Sequence, residues 1–168
     1  METAIASLIL IGVMVLSMLG LSMQSMTSQA AIMQAARVMQ QREGDRARTS
    51  LAPLTTAVTP LGDYVQVTLK NTGSTKLADF DQWDVILNYT DAVGSEHIAW
   101  FAYPAQWTAQ VYQTAATAAP EVFDPGILNP GEEVELLINV PAVIGAGTVN
   151  QATIGTPNGI TASAIFTR

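Results

Sequence analysis

The stretch from Thr3 to Leu21 constrains the fold of this chain more than any other part of the sequence. It contains no charged residue, and its large apolar residues are spread so that a helix formed from it has no polar face. Such a helix has to lie in lipid or among other apolar helices. At about 1.5 Å of rise per residue it is about 28 Å long, close to the thickness of the hydrocarbon core of a bilayer. The sequence therefore predicts a segment that can cross a membrane.

Residues 22–41 continue the helical pattern beyond this stretch. They are rich in Ala, Gln and Met, contain no proline and carry one charge, at Arg37. We therefore predict one helix of about 45 residues, a length that calls for a membrane, a coiled coil or a helical assembly around it. Gly12 and Gly20 would each cost an isolated helix about 1 kcal/mol relative to Ala. They either allow close approach of a neighbouring helix or are tolerated in a lipid-facing span.

The apolar run differs from a secretory signal, in which a basic segment precedes a shorter apolar core and a cleavage site. No Lys or Arg precedes the run here, and a further helical pattern follows it instead of a loop. We therefore expect a mature N-terminus, and the removal of a short basic leader is left open.

Composition divides the chain into two parts. All seven Met residues lie within the first 39 positions, whereas every Trp, Tyr and Pro residue follows position 52. A charged cluster over residues 42–48 ends the uncharged region, and Pro53 prevents the helix from continuing far. We predict an N-terminal helix over residues 1–50 and a second domain over residues 54–168.

The second domain has the pattern of an all-β protein. After Pro53 the apolar residues alternate with polar ones, and Gly, Pro, Asn and Asp clusters separate the alternating runs. Seven short strands without an intervening helical run are typical of a β-sandwich. The fold class is therefore α+β, a long N-terminal hydrophobic α-helix followed by an all-β sandwich of about seven strands. The predicted strands cover residues 64–69, 83–89, 97–103, 107–113, 133–140, 148–154 and 160–166.

The charge of the second domain argues against nucleic acid as a partner. The whole chain has a formal net charge of -7, and residues 49–168 hold eleven acidic residues against Lys70, Lys76 and Arg168. An acidic surface repels phosphate backbones. The simplest role of these charges is to keep an exposed surface soluble.

Few residues are candidates for chemistry. The chain has no Cys, and its single histidine, His97, forms neither a zinc site nor a catalytic triad alone. Asp79, Asp81 and Asp84 have a spacing that could begin a Ca²⁺ loop, but the Gly and the final Glu of an EF-hand are missing, so they are weak metal candidates. Asn88 begins the glycosylation sequon Asn-Tyr-Thr and is a candidate for glycosylation. We predict neither enzymatic activity nor a cofactor.

The N-terminal residues Thr-Ala-Ile-Ala-Ser-Leu-Ile, at positions 3–9, resemble the start of mature archaellins, the archaeal flagellins of the type IV pilin superfamily. Archaellins commonly have Thr-Gly-Ile-Gly-Thr-Leu-Ile there, so Ala4 and Ala6 replace two glycines and Ser7 replaces a threonine. Ordinary type IV pilins carry Glu at the fifth mature position, where this chain has Ile5. The resemblance covers the first 50 residues. Two turns, at residues 69–74 and 128–132, look like turns of the outer immunoglobulin-like domains of this family.

The resemblance implies a structural subunit of a helical extracellular filament, an archaellum used for swimming motility, with an immunoglobulin-like outer sandwich. It also implies a precursor in the cytoplasmic membrane, a prepilin-type peptidase, ATP-driven assembly machinery and identical subunits as partners. An adhesive pilus subunit and a monomeric membrane-anchored β-sandwich that binds a ligand outside the cell are the alternatives. The residues expected to pack in the filament core are Ile5, Leu8, Ile9, Gly12, Val15, Leu16, Leu19, Gly20, Met23, Met26 and Met33.

Overall fold

A computed structural model describes the backbone of residues 2–168 and the side chains of these residues, other than residues 2–4, 6, 19 and 21–27. This described part of the chain forms one long helix and nine strands, and the chain divides between Glu43 and Gly44 into two compact units. The helix α1 spans Glu2–Arg48. The strands are β1 Leu51–Val58, β2 Tyr64–Asn71, β3 Asp84–Thr90, β4 Glu96–Phe101, β5 Trp107–Thr114, β6 Ala119–Pro120, β7 Glu133–Asn139, β8 Val149–Gly155 and β9 Thr161–Thr167.

The helix α1 corrects the first half of the predicted fold class. It is a single element of 47 residues. Among its described side chains, at positions 5, 7–18, 20 and 28–48, no stretch is long and apolar enough to cross a membrane. The prediction of a long hydrophobic N-terminal helix is therefore wrong for the described residues.

The number of strands corrects the second half. Each of the seven predicted strands coincides with an observed one, but the structure adds β1 and β6, which makes nine strands instead of about seven. Strand β1 contains Pro53, which was interpreted only as a residue that ends the helix. Because β1 lies at the edge of its sheet, a residue without an N–H group is tolerated there. Strand β6 has two residues, too few for any alternating pattern.

The strands form two antiparallel sheets that pack face to face as a sandwich. One sheet has the order β1-β2-β7-β5-β6 and the other the order β4-β3-β8-β9. Val65, Val67 and Leu69 of β2 point into the core in strict alternation, and β3 contributes Val85 and Leu87 from the opposite sheet. Alternation with period two is what places these apolar side chains on one face of each strand.

Two large aromatic side chains form part of this core. Trp83 and Trp107 are almost fully buried, and each indole N–H donates to a backbone oxygen, of Ala78 and Phe101 respectively. The hydrogen bonds remove the cost of burying a polar N–H group, so the rings contribute their whole apolar area.

Candidate assembly site

Many of the described side chains of α1 are apolar and exposed, which is unfavourable for a single helix in water. Fourteen large apolar side chains of α1 are 41–74% exposed in the single chain. Contiguous exposed apolar surface of this kind marks a site of interaction with protein or lipid. The fourteen are Ile5, Leu8, Ile9, Leu10, Ile11, Val13, Met14, Val15, Leu16, Met18, Ile32, Met33, Val38 and Met39.

The residues predicted to pack in a filament core fall into three groups. A side chain built at Gly12 or Gly20 would meet no atom of the chain within 4 Å, so nothing within the described structure requires glycine at either position. The side chains of Leu19, Met23 and Met26 lie outside the described residues. The remaining predicted core residues, all among the exposed apolar side chains, are Ile5, Leu8, Ile9, Val15, Leu16 and Met33.

The C-terminal end of α1 belongs to the sandwich unit and is held by backbone hydrogen bonds. The turn after β2 donates from Ser74 N to Arg48 O at 2.8 Å, and from Thr72 N and Gly73 N to Ser50 O at 2.9 and 3.1 Å. The bond to Arg48 O satisfies a carbonyl group that the end of α1 leaves without an intrahelical partner, and the other two bonds hold Ser50, which follows the helix. We call residues 44–50, the turn 71–74 and Asn158 the collar.

Glycine is required at one position of the collar. A Cβ atom at Gly73 would lie 2.4 Å from Arg48 O and 2.6 Å from Ser50 N, distances that backbone atoms do not tolerate. The side chain of Asn71 fixes the same turn, because its Oδ1 accepts from Gly73 N at 3.0 Å and its Nδ2 donates to Thr75 O at 2.8 Å. The turn can therefore approach the end of α1 this closely only with glycine at position 73.

Thr49 connects the collar to the opposite side of the sandwich. It is 5% exposed, and its hydroxyl donates to Asp45 O at 2.7 Å, in the last turn of α1. The same hydroxyl oxygen accepts from Asn158 Nδ2 at 2.5 Å, in the turn between β8 and β9. The side chain of Thr49 thus links the last turn of α1 to the turn between two strands of the second sheet.

Sequence reasoning identified the turn after β2 but not the collar. The Asn-Thr-Gly-Ser sequence at residues 71–74 signals a turn, yet its partner at residues 48–50 is distant in sequence and bonds through the backbone. Backbone hydrogen bonds leave no pattern of side chains, so no sequence signal could have identified the partner.

A second polar cluster lies in the hairpin between β3 and β4. His97 Nε2 lies 2.8 Å from Asp91 Oδ2, and the His97 ring stacks on Tyr89 with a centroid separation of 5.1 Å. Asp91 Oδ1 accepts from the backbone N–H groups of Val93 and Ser95. The hydrogen bond from His97, followed by those from the backbone, lowers the pKa of the Asp91 carboxyl below its usual 3.8.

The three candidates for metal binding, Asp79, Asp81 and Asp84, have different structural roles. Asp79 precedes the short helical turn Phe80–Gln82, in which Asp81 is exposed, and Asp84 accepts from Trp100 Nε1 at 2.9 Å. In the part of the chain that the structure describes, no three acidic, His or Cys side chains are close enough to hold a metal ion.

The weak glycosylation candidate Asn88 is exposed on the outer face of the second sheet. It lies in the interior of β3, between Ile98 of β4 and Gln151 of β8. A glycan there would cover this face of the sheet.

Comparisons with known proteins find structures of similar fold but no match to a family model or a curated protein. One solved structure of similar fold is the archaellum periplasmic stator protein FlaG from Sulfolobus acidocaldarius, with a TM-score of 0.51 and 21% identity over 70% of this chain and 99% of that chain. The stator complex of FlaF and FlaG from the same organism gives a TM-score of 0.50 and 20% identity over 69% of this chain and 87% of that chain.

A filament structure aligns with more of the chain. The archaeal flagellum of Methanospirillum hungatei strain JF1 has a TM-score of 0.55 and 15% identity, and the alignment covers 96% of this chain and 90% of that chain. At these identities the likeness concerns the fold. The chain thus has a fold that is similar to those of archaellum proteins.

Proposed function

We propose that this protein is a structural component of an archaellum, and specifically a subunit that polymerises through its N-terminal helix into an extracellular filament. In this proposal residues 1–50 build the filament core and residues 54–168 form the outer domain. The membrane-resident precursor, the prepilin-type peptidase and the ATP-driven assembly machinery remain predictions from the family resemblance. The absence of enzymatic activity remains a prediction from the lack of candidate catalytic residues in the sequence.

The observation that carries the proposal is the exposed apolar surface of α1. Burying one large aliphatic side chain contributes about 1.5–3 kcal/mol. Among the described side chains of α1, fourteen large apolar ones are exposed in the single chain. Packing against the same helix of other copies would bury them without closing the assembly, and a repeated contact that does not close gives a filament.

The coverage of the aligned structures supports the filament over the stator. The filament structure aligns with 96% of this chain, whereas FlaG aligns with 70%, although almost the whole of FlaG is used. An alignment that extends over nearly the full chain has to include α1. A filament subunit with a core and an outer domain requires both a helix such as α1 and a sandwich in one chain, and this chain has both.

Substitution of Leu16 tests the proposal. Leu16→Asp places a charge in the packed core, which costs several kcal/mol without a partner, so we expect the loss of filaments. Electron microscopy of the cell surface and of material sheared from cells that produce the protein would measure it. The matched control is Leu61→Asp, because Leu61 in the sandwich unit is 71% exposed and Leu16 is 70% exposed. Intact filaments from Leu16→Asp would contradict the proposal.

A stator component is the second candidate function, favoured by the similarity of the sandwich to FlaG. It differs from the first in assembly, because a stator component does not require a homopolymer. If wild-type cells and sheared fractions contain the protein and no filament of it, the stator proposal replaces the filament proposal.

A further inference from the structure

The four strands at the edges of the two sheets are protected to different degrees. Strand β1 contains Pro53 and a register shift between Pro53 and Thr55, and β6 is two residues long. Strand β9 is next to β1, whose Thr56 hydroxyl donates to Ile165 O at 3.2 Å. Proline, irregularity, short length and cover are the devices by which proteins prevent pairing at a sheet edge.

Strand β4 has none of these four devices, and its one carboxylate, Glu96, lies at its first residue. Within the described residues it pairs with β3 alone, over Glu96–Phe101, and its register is regular throughout. Its sequence, Glu-His-Ile-Ala-Trp-Phe, contains neither proline nor lysine. Apart from Phe101 O, which accepts from Trp107 Nε1, no side-chain hydrogen bond to the β4 backbone is seen among the described residues, so its free side can pair with another strand.

The outer face beside this edge is apolar. Ile98 is 77% exposed and Trp100 is 57% exposed, and both project from β4 onto the same face as Ile86 of β3. Trp100 lies opposite Ile86 in the register, and its indole N–H is fixed by Asp84. An open edge and an adjacent apolar face together favour an added strand that brings apolar side chains of its own.

We propose that two copies of this chain pair along β4 as an antiparallel dimer, with the twofold axis at Ala99. The proposal is independent of the filament contacts of α1. Side chains that face each other across a sheet must lie on the same face, so Ile98 is opposite Trp100 of the second copy. This repeats across the dimer the Trp–Ile pair that β3 and β4 already form.

The charges of the edge fit a second copy in this orientation. Glu96 is the only carboxylate of β4. Antiparallel pairing centred on Ala99 places the two Glu96 residues about 20 Å apart, at opposite ends of the seam. Parallel pairing would place them side by side, where like charges repel. Ala99, the residue on the axis, is small enough to face itself.

Disulfide trapping tests both the partner and the register. The chain has no Cys, so Ala99→Cys introduces a single thiol. Opposite Cβ atoms in an antiparallel pair are about 4.5–5.5 Å apart, near the separation of about 3.5–4.5 Å in disulfides. Under mild oxidation of the full-length protein in detergent, we expect Ala99→Cys to form a covalent dimer. The control, Glu96→Cys on the same strand, should not form one.

A second pair of variants separates edge pairing from contacts made by α1. In the Ala99→Cys background, Ile98→Lys adds a charge to the seam and should abolish the covalent dimer. Ile165→Lys should retain it, because Ile165 is 69% exposed on the same sheet face but lies on β9. Thermal unfolding of each variant verifies that it is folded.

Three results would overturn the proposal. Absence of a covalent dimer from folded Ala99→Cys would exclude this pairing, and equal dimer yields from Ala99→Cys and Glu96→Cys would indicate random collision. A covalent product with a different protein on intact cells, in place of the dimer, would assign the edge to that protein instead of a second copy.

Discussion

At the scale of single residues, Asp91 organises the hairpin between β3 and β4. One carboxylate oxygen accepts two backbone N–H groups within the turn, and the other binds His97 on the following strand. The carboxylate thereby satisfies donors that the turn would otherwise leave to solvent. Its negative charge is part of the stability of the hairpin.

The pH dependence of stability follows from the lowered pKa of Asp91. A carboxyl whose pKa is lower in the folded than in the unfolded chain stabilises the fold above its unfolded pKa, and this contribution is lost as the pH falls through its folded pKa. The usual value is 3.8, so we expect the loss mainly below that pH. Urea unfolding followed by tryptophan fluorescence at pH 7 and at pH 3 measures it.

Asp91→Asn should reduce the difference between the two pH values, because the amide does not titrate. The control is Asp81→Asn, at an exposed carboxylate for which no ion pair is seen within the described structure, and it should behave as the wild type. Equal pH dependence of Asp91→Asn and the wild type would refute a role for this carboxyl.

Single-residue roles could be predicted from the sequence only in part. His97 was expected to form neither a zinc site nor a catalytic triad, and its partner Asp91, across a hairpin turn, was not identified. The turn signal at residues 91–95 was visible, and pairing the residues on either side of it would have brought Asp91 and His97 together. The exposure of Leu16 could not be predicted from its being a leucine, because exposure depends on which other parts of the structure pack against it.

At the scale of elements, the collar makes the end of α1 continuous with the sandwich. Gly44, where the two compact units meet, has no steric need for glycine, whereas Gly73 does. Both glycines belong to the collar, but only Gly73 is needed for a close backbone approach.

Alanine substitutions at the two glycines should have effects of opposite sign. Gly44→Ala adds a helix-favouring residue in open space and should raise the free energy of unfolding by up to about 1 kcal/mol. Gly73→Ala forces the turn away from Arg48 and Ser50 and should lower it by about 1–3 kcal/mol. Chemical denaturation of each variant gives both values. A neutral Gly73→Ala variant would show that the close approach is not needed.

Element prediction succeeded where the apolar pattern was regular and failed where it was not. The alternation in β2 and β3 identified both strands because one face of each is buried. Strand β1 has an irregular burial pattern, since an edge strand packs weakly on one side, and Pro53 concealed it further. The outer domain predicted to begin at residue 54 thus starts inside β1.

At the scale of the whole molecule, the boundary between the two units decides which part of the chain folds as a sandwich. The unit 44–168 contains the collar and all of β1, including Leu51, which is 9% exposed in the core. A chain that starts at residue 54 lacks residues 44–50 of the collar and Leu51.

Two fragments test this division. We expect residues 44–168 to fold alone and to unfold cooperatively. Residues 54–168 should be less stable by about 2 kcal/mol or more, because burial of a single Leu contributes about 1.5–3 kcal/mol. Urea unfolding of the two fragments measures the difference. Equal stabilities would show that the collar and Leu51 contribute nothing, and an unfolded 44–168 fragment would show that the sandwich depends on α1.

The collar also determines how the protein responds to mechanical force. Tension applied through α1 enters the sandwich at residues 48–50, where the bonds from Thr72, Gly73 and Ser74 have to break first. Strand β1 starts one residue later and pairs with β2 from Leu51 opposite Asn71. Without the collar, a pull at that end would separate the two strands one hydrogen bond at a time. The collar therefore sets the force at which the sandwich begins to unravel.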